Sequence, residues 1–245
     1  MILEGRKSMP QDDRLQRTRL MLGDDAVEKL KKANVIIFGV GGVGGNCAEA
    51  LIRCGVGRLT VVDNDDVDVT NINRQVVALH STIGRPKTEV IGERLRDIAP
   101  DAEIIEKQMF FLPETAGEFD FSEYDYIIDA IDTVKAKLEL VQCCKAAGTP
   151  VISAMGAGNK LDPSAFMVAD ISKTEMDPLA KVMRRELRSR GINHLKVVYS
   201  KEKPLNTVVQ GEDEQKARHA PGSVAFVPPA AGLLMASEVI KDLIK

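Results

Sequence analysis

The sequence predicts an α/β fold: a Rossmann-like, doubly wound, mostly parallel sheet with a C-terminal extension that contains a basic helix. Three observations predict it. Short β-branched apolar runs alternate with stretches of helical period, the rhythm of β-α-β units. The first run, Val35-Ile36-Ile37-Phe38, opens onto the glycine-rich turn Gly39-Val40-Gly41-Gly42-Val43-Gly44 and then a helix. The next run ends on a carboxylate, Asp63, the arrangement of a nucleotide-binding unit.

Each element follows from its residues. Asp13 to Leu22 reads as an Arg-rich amphipathic helix stopped by Gly23, with Asp24 and Asp25 capping a second, Ala26 to Lys32. Val35–Phe38 is unbroken and apolar, as a strand buried on both faces must be. A helix runs through Cys47 to Cys54 and ends at Gly55 and Gly57; Leu59 to Val62 is the second strand. Asn64 to Gln75 is a loop. Lys87 to Ile98 is a helix stopped by Pro100, and Ala102 to Glu106 a third strand. Tyr124 to Ala130 is a fourth strand, with Asp129 and Asp132 at its end. Val134 to Ala147 is helical and Pro150 to Ala154 a fifth strand.

Beyond Gly156 the rhythm changes. Phe166 to Ala169 and Lys196 to Ser200 read as strands around a basic helix, Asp177 to Arg190, with Asp177 as its cap and Pro178 as its first residue. Glu202 to Gly222 is polar and reads as a flexible loop. Ala230 to Ile244 is an apolar helix suited to covering the sheet or joining a dimer. The expected organisation is one domain over 1–245, with a nucleotide-binding core (14–155) and a C-terminal extension (156–245).

Composition excludes several classes. The chain has 245 residues, 44% apolar and 28% charged, which suits a soluble globular protein. With 33 Lys and Arg against 36 Asp and Glu, any nucleic-acid contact must come from a local patch. No apolar run reaches a membrane span, and Met1 to Asp13 lacks the apolar core of a signal peptide; the cytoplasm is the expected location. Cys47, Cys54, Cys143 and Cys144 form no C-x-x-C pair, so they read as reduced thiols and not as a zinc site. The absence of Trp argues against a base-stacking platform. His80, His194 and His219 stand apart in sequence and read as structural or exposed.

The glycine turn and Asp63 fit an NAD enzyme as well as an ATP enzyme. In either, glycines let the backbone approach a phosphate at a helix N-terminus, and the strand-end carboxylate accepts from ribose hydroxyls. The next segment separates the two. A triphosphate needs cations on its outer phosphates and a carboxylate for magnesium. Arg74, Lys87 and Asp132 supply both, at the carboxyl ends of strands.

Together the glycine turn, the Asp of Val61-Val62-Asp63, the run Thr70-Asn71-Ile72-Asn73-Arg74-Gln75, Gly84-Arg85-Pro86-Lys87 and Asp129-Ala130-Ile131-Asp132 resemble the ubiquitin-activating-enzyme-like adenylyltransferases, the ThiF and MoeB superfamily. The resemblance implies ATP-dependent activation of a carboxylate as an acyl-adenylate. It implies a nucleotide held by Gly39, Gly41, Gly42, Gly44 and Asp63, with Asp65 a lesser candidate. Asn71, Arg74 and Lys87 would meet the phosphates, and Asp132 would hold Mg2+. A homodimer is implied too, in which Arg17 reaches the neighbouring site; Arg14 reads as an exposed ion pair. The chain departs from the sulfur-carrier activators by lacking two C-x-x-C pairs and by carrying Asp132-Thr133 in place of Asp-Asn.

The C-terminal part is more specific. Gly156-Ala157-Gly158, Leu161-Asp162-Pro163, Val168 to Thr174, Asp177-Pro178-Leu179-Ala180-Lys181 and Arg184 to Arg190 resemble the tRNA threonylcarbamoyladenosine dehydratases. That resemblance implies ATP-dependent cyclisation of threonylcarbamoyladenosine in tRNA. The region His219 to Ser223 has no Cys, so a covalent thioester there is not expected. Lys181, Arg184, Arg185, Arg188 and Arg190 fall at spacings that put several on one helical face, a footprint for the tRNA backbone. A cysteine desulfurase or sulfur-acceptor partner is a further expectation. The rival readings are an activator of a ubiquitin-like sulfur carrier, a nucleotide-sensing protein without turnover, and an NAD dehydrogenase.

Overall fold

The computed structural model describes residues 13–205 and 221–245. Seven strands, β1 (Asn34–Phe38), β2 (Arg58–Asp63), β3 (Glu103–Gln108), β4 (Tyr126–Asp129), β5 (Val151–Ala154), β6 (Phe166–Asp170) and β7 (Lys196–Ser200), form one sheet in the order β3-β2-β1-β4-β5-β7-β6. All neighbours are parallel except β6 against β7. The helices are α1 (Gln16–Leu22), α2 (Asp24–Lys32), α3 (Gly44–Cys54), α4 (Lys87–Ile98), α5 (Val134–Ala147), α6 (Pro178–Ser189) and α7 (Val227–Leu243). The sheet is doubly wound as the sequence predicts. Its order reverses between β1 and β4, where such folds open a crevice at the carboxyl ends of the strands.

The unbroken β1 run serves two cores. Val35 and Ile37 pack with Leu51, Leu95 and Met235 on one face; Ile36 and Phe38 pack with Leu140, Met183 and Leu187 on the other. Each large apolar side chain so buried contributes roughly 1.5–3 kcal/mol. Register aligns the strand ends: Phe38 stands beside Val62 of β2 and Asp129 of β4. The C-terminal helix α7 covers the sheet and crosses the start of α3 at Gly232, where a Cβ would lie 2.2 Å from the Val43 carbonyl oxygen.

Several expectations are corrected. Asp24 and Asp25 do not cap α2 from outside; they lie in its first turn, and Gly23 is the cap position. Asp24 instead accepts from Arg19. Helix α1 begins at Gln16, because the Asp13 carboxylate receives the Leu15 N–H and the Arg19 guanidinium. The third strand starts one residue later than expected and runs on to Gln108, while β4 is shorter at both ends. Asp129, at the end of β4, is wholly buried. Most of the expected 202–222 loop, His219 and residues 1–12 lie outside the described residues.

Candidate functional site

The glycine turn divides into two jobs. Gly39 has φ +88°, and a Cβ there would sit 2.6 Å from the Ala130 carbonyl oxygen. A Cβ on Gly44 would sit 1.8 Å from the Gly39 carbonyl oxygen. These two glycines make the turn possible. Gly41 meets only the Gln75 side chain, at 3.7 Å, so its backbone faces open space. Helix α3 starts at Gly44 with no side-chain cap; the Gly45 N–H donates to the Gly41 carbonyl oxygen, so an anion at this end of the helix would meet the backbone of Gly41, Gly42 and Val43, which line the cleft.

Asp63 closes the turn from the side. Its Oδ2 accepts the Val40 N–H at 2.8 Å and its Oδ1 the Asp65 N–H at 2.9 Å. Burial pushes its carboxyl above the usual range, against the lowering effect of those N–H groups and of Lys87. Lys87 opens α4, its side chain nearly all buried, and donates from Nζ to Asp65 Oδ2 at 2.8 Å. Asn71 is buried in a capping box with Asp68. Arg74 stands one turn on and donates from Nη1 to Thr70 O at 2.9 Å and Asn73 Oδ1 at 2.8 Å. The rest of its fork has no partner among the described residues.

Across the crevice, Asp132 is exposed and accepts from the Thr133 hydroxyl at 3.2 Å. The loop carrying it is anchored beneath: Asp129 Oδ1 accepts the Ile131 N–H, and Lys137 donates to the Ile131 carbonyl oxygen. A cleft of about 970 Å3 results, lined by Gly39, Gly41, Gly42, Asp63, Asp65, Asn71, Arg74, Lys87 and Asp132. Gly44 lies behind the turn and is absent from the lining. Arg17 is exposed on α1 and does not line this chain's own cleft. No group of three or more His, Cys, Asp or Glu that could hold a metal occurs among the described residues. An Mg2+ bound by one carboxylate and substrate phosphates needs no such group; the exposed Asp132 carboxylate, which has no ion pair among the described residues while Asp65 is paired with Lys87, fits that mode.

Sequence reasoning missed part of the lining. Gln75 is buried, and its Oε1 has no partner among the described residues; its place beside Arg74 in one motif was the available signal. The Ser223 hydroxyl oxygen is also buried without a partner among the described residues, while Asn73 Nδ2 donates to the Ser223 carbonyl. Phe110, Met155 and Pro221 complete the walls. They come from distant segments, and no local pattern joins them.

The basic stripe lies on α6, outside the cleft. Arg184 is partly buried and donates from Nη1 to the carbonyl oxygens of Thr174 at 2.8 Å and Ile171 at 3.4 Å. Arg185 and Arg190 both pair with Glu186. Lys181 and Arg188 are exposed and make no ion pair among the described residues.

Comparison with known proteins shows the family and the fold. Residues 14–245 match the ThiF family. The chain is 47% identical over 240 residues to the tRNA threonylcarbamoyladenosine dehydratase of Bacillus subtilis (strain 168), covering 94% of each chain. It is 40% identical over 172 residues to the Escherichia coli (strain K12) enzyme of the same name, covering 70% of this chain and 64% of that protein. In structure it superposes on the E. coli enzyme in complex with AMP with a TM-score of 0.86 at 33% identity, covering 94% of each chain. The ATP complex of that enzyme gives 0.85 at 33% identity, covering 94% of this chain and 93% of that one.

Proposed function

This chain belongs to the ThiF family, and on that premise we propose that it dehydrates threonylcarbamoyladenosine in tRNA at the expense of ATP. The observation that carries the reading is the cleft at the β1/β4 switch point, which unites a glycine turn, a ribose-type carboxylate, two cations and, across from them, the exposed carboxylate of Asp132.

The threonyl carboxylate of the substrate is a poor electrophile, because its leaving group would be oxide. Attack of that carboxylate on the ATP α-phosphorus forms a mixed anhydride with AMP and releases pyrophosphate. The neighbouring carbamoyl group then attacks the activated carbonyl, gives up an N–H proton to solvent, closes a ring and expels AMP. The oxygen of the lost water leaves on AMP. Both reacting groups belong to one nucleoside, so the ring closure gains from proximity. The protein's work is to hold ATP and to neutralise charge as pyrophosphate departs.

Each residue has a part in this. Gly41 and Gly42 offer backbone to the phosphates, and Asp63 accepts from the ribose. Arg74 and Lys87 meet the outer phosphates, with Asn71 holding the turn between them and Asp65 holding Lys87. Asp132 would ligate Mg2+, which would supply Lewis-acid neutralisation of the phosphate oxygens. In a homodimer, Arg17 would add its charge to the partner's cleft. The Gln75 Oε1 and the Ser223 hydroxyl remain to take donors or acceptors from nucleotide or substrate. Lys181, Arg185 and Arg188 would meet the tRNA backbone. No membrane-spanning helix occurs among the described residues, and we place the reaction in the cytoplasm.

A cysteine desulfurase or sulfur-acceptor partner would need a thiolate. Burial pushes the thiols of Cys47, Cys54 and Cys144 up, and that of Cys143 to about 11. None of the four lines the cleft, so the proposed chemistry runs without one. The test is mass spectrometry of nucleosides after incubation with Mg2+, ATP and tRNA bearing the threonylcarbamoyl group. The expected result is loss of one water from that nucleoside with AMP released. An unchanged nucleoside, with ATP bound, would overturn the reading.

A further inference from the structure

A buried ion pair joins the cleft to the basic helix. Lys160 Nζ donates to Asp177 Oδ2 at 2.9 Å, with 1% and 0% of the two side chains exposed. The same ammonium donates to the Gly156 carbonyl oxygen at 2.6 Å and lies over the Phe166 ring of β6. Gly156, Ala157 and Gly158 form one wall of the nucleotide cleft. Asp177 is the N-cap of α6, and its other oxygen accepts the Ala180 N–H at 2.9 Å. The fit is close: a Cβ on Gly156 would lie 3.2 and 3.4 Å from the two carboxylate oxygens of Asp177. One carboxylate and one ammonium thus fix both the cleft wall and the first turn of α6.

Stability alone does not account for such a pair. Desolvating two charges offsets most of their attraction, and apolar side chains of similar volume often serve as well. A charged pair with a backbone carbonyl as third partner is directional, and it disfavours arrangements that leave either charge unpaired. We propose that Lys160 and Asp177 are positioning residues that lock α6 and the Gly156–Gly158 wall into one unit, so that RNA held on α6 presents its modified nucleoside to the adenylating cleft in register. The inference rests on the dehydratase reading for its substrate side; the mechanical coupling does not depend on it.

The variant that tests this is the double substitution Lys160→Met with Asp177→Asn. It removes both charges while Asn keeps the N-cap. Its kcat/KM for threonylcarbamoylated tRNA is expected to fall about 10- to 100-fold, as misplacement near 1 Å would do. Affinity for ATP with an uncleavable α–β bond should stay within about twofold, because the glycine turn, Arg74 and Lys87 are untouched. Hydrogen exchange gives a readout independent of turnover. In the unmodified protein, the ATP analogue is expected to slow exchange at the first turn of α6 as well as at 39–44. In the double variant the slowing should persist at 39–44 and vanish from α6. Unchanged kcat/KM, or equal slowing at α6 in both proteins, would overturn the proposal. If the unmodified protein leaves the nucleoside intact, the dehydratase reading falls and exchange alone decides the coupling. If that double variant fails to fold, Lys160→Leu with Asp177→Ser also removes both charges and keeps a capping hydroxyl, and the same two readouts apply with the same deciding outcomes.

Discussion

Lys137 and Asp129 form an ion pair 2.9 Å long in which neither side chain has exposed surface. Asp129 also receives the Ser153 hydroxyl from β5. Both charged residues hold the backbone of Ile131, one by its N–H and one by its carbonyl. They are therefore a strap beneath the loop that presents Asp132. Lys137→Met leaves a buried carboxylate without its counter-charge, which costs about 3–5 kcal/mol. Urea unfolding should show that loss, and Lys137→Met with Asp129→Asn should recover much of it. Equal stability of the single variant and the unmodified protein would show that the pair does not hold the loop.

Removing Asp132 or Arg74 should have the opposite profile. Asp132 is exposed and, among the described residues, makes a side-chain hydrogen bond only with Thr133; Arg74 hydrogen-bonds, among the described residues, only within its own turn. Their alanine variants should melt within a few degrees of the unmodified protein and release AMP about 100- to 1,000-fold more slowly, the usual cost of losing one charge-stabilising group. Full activity in either would remove that residue from the site.

The two kinds of glycine in the turn can be separated. Gly44→Ala sets a methyl 1.8 Å from the Gly39 carbonyl oxygen, and backbone must move. Destabilisation of at least the ~1–3 kcal/mol of an overpacked site is expected. Gly41→Ala meets only a side chain at 3.7 Å, so the fold should persist while ATP binding weakens. Thermal melting with nucleotide titration checks both; unchanged ATP affinity in Gly41→Ala would mean the backbone there does not face phosphate.

These contrasts also show what sequence pattern carries. The β1 run, the turn and the fourth-strand carboxylates were legible because doubly buried strands are continuously apolar and turns need glycine. Lys137 was not, since nothing local sets it apart from Lys135 two residues before it; only the tertiary fold buries Lys137 against Asp129 of β4. Arg184 was legible as basic but not as a tie, because its carbonyl partners lie 10 and 13 residues upstream. Gln75 had the right neighbour and no chemical signature of its own.

Acid stability should report on Asp242. Burial pushes its carboxyl up, but hydrogen bonds from Lys196, Lys245 and Tyr126 outweigh that and hold it at about 2, against an ordinary 3.8. A depressed carboxyl contributes stability above its unfolded value and loses it as pH falls through the folded one. Stability should therefore decline between about pH 4 and about pH 2 as α7 loses its tie to β4 and β7. Asp242→Asn should be less stable near neutrality and show a shallower decline over that window in urea titrations. Parallel curves for the two proteins would exclude this group.

The stripe on α6 makes different demands on its members. Arg184 ties the helix to Thr174 and Ile171, so Arg184→Glu should destabilise the fold before it says anything of RNA. Lys181 and Arg188 are exposed and carry no ion pair among the described residues, so reversing both leaves packing intact. Phosphate contacts release counterions, and losing two should lower the slope of log affinity against log salt by roughly 2. Lys181→Glu with Arg188→Glu is therefore expected to raise KM for the modified tRNA most strongly at low salt, with ATP binding and melting unchanged. Measuring KM across a salt series decides it: an unaltered slope would make these side chains an ordinary solvated face, and would move the search for the RNA surface to the exposed residues around the mouth of the cleft.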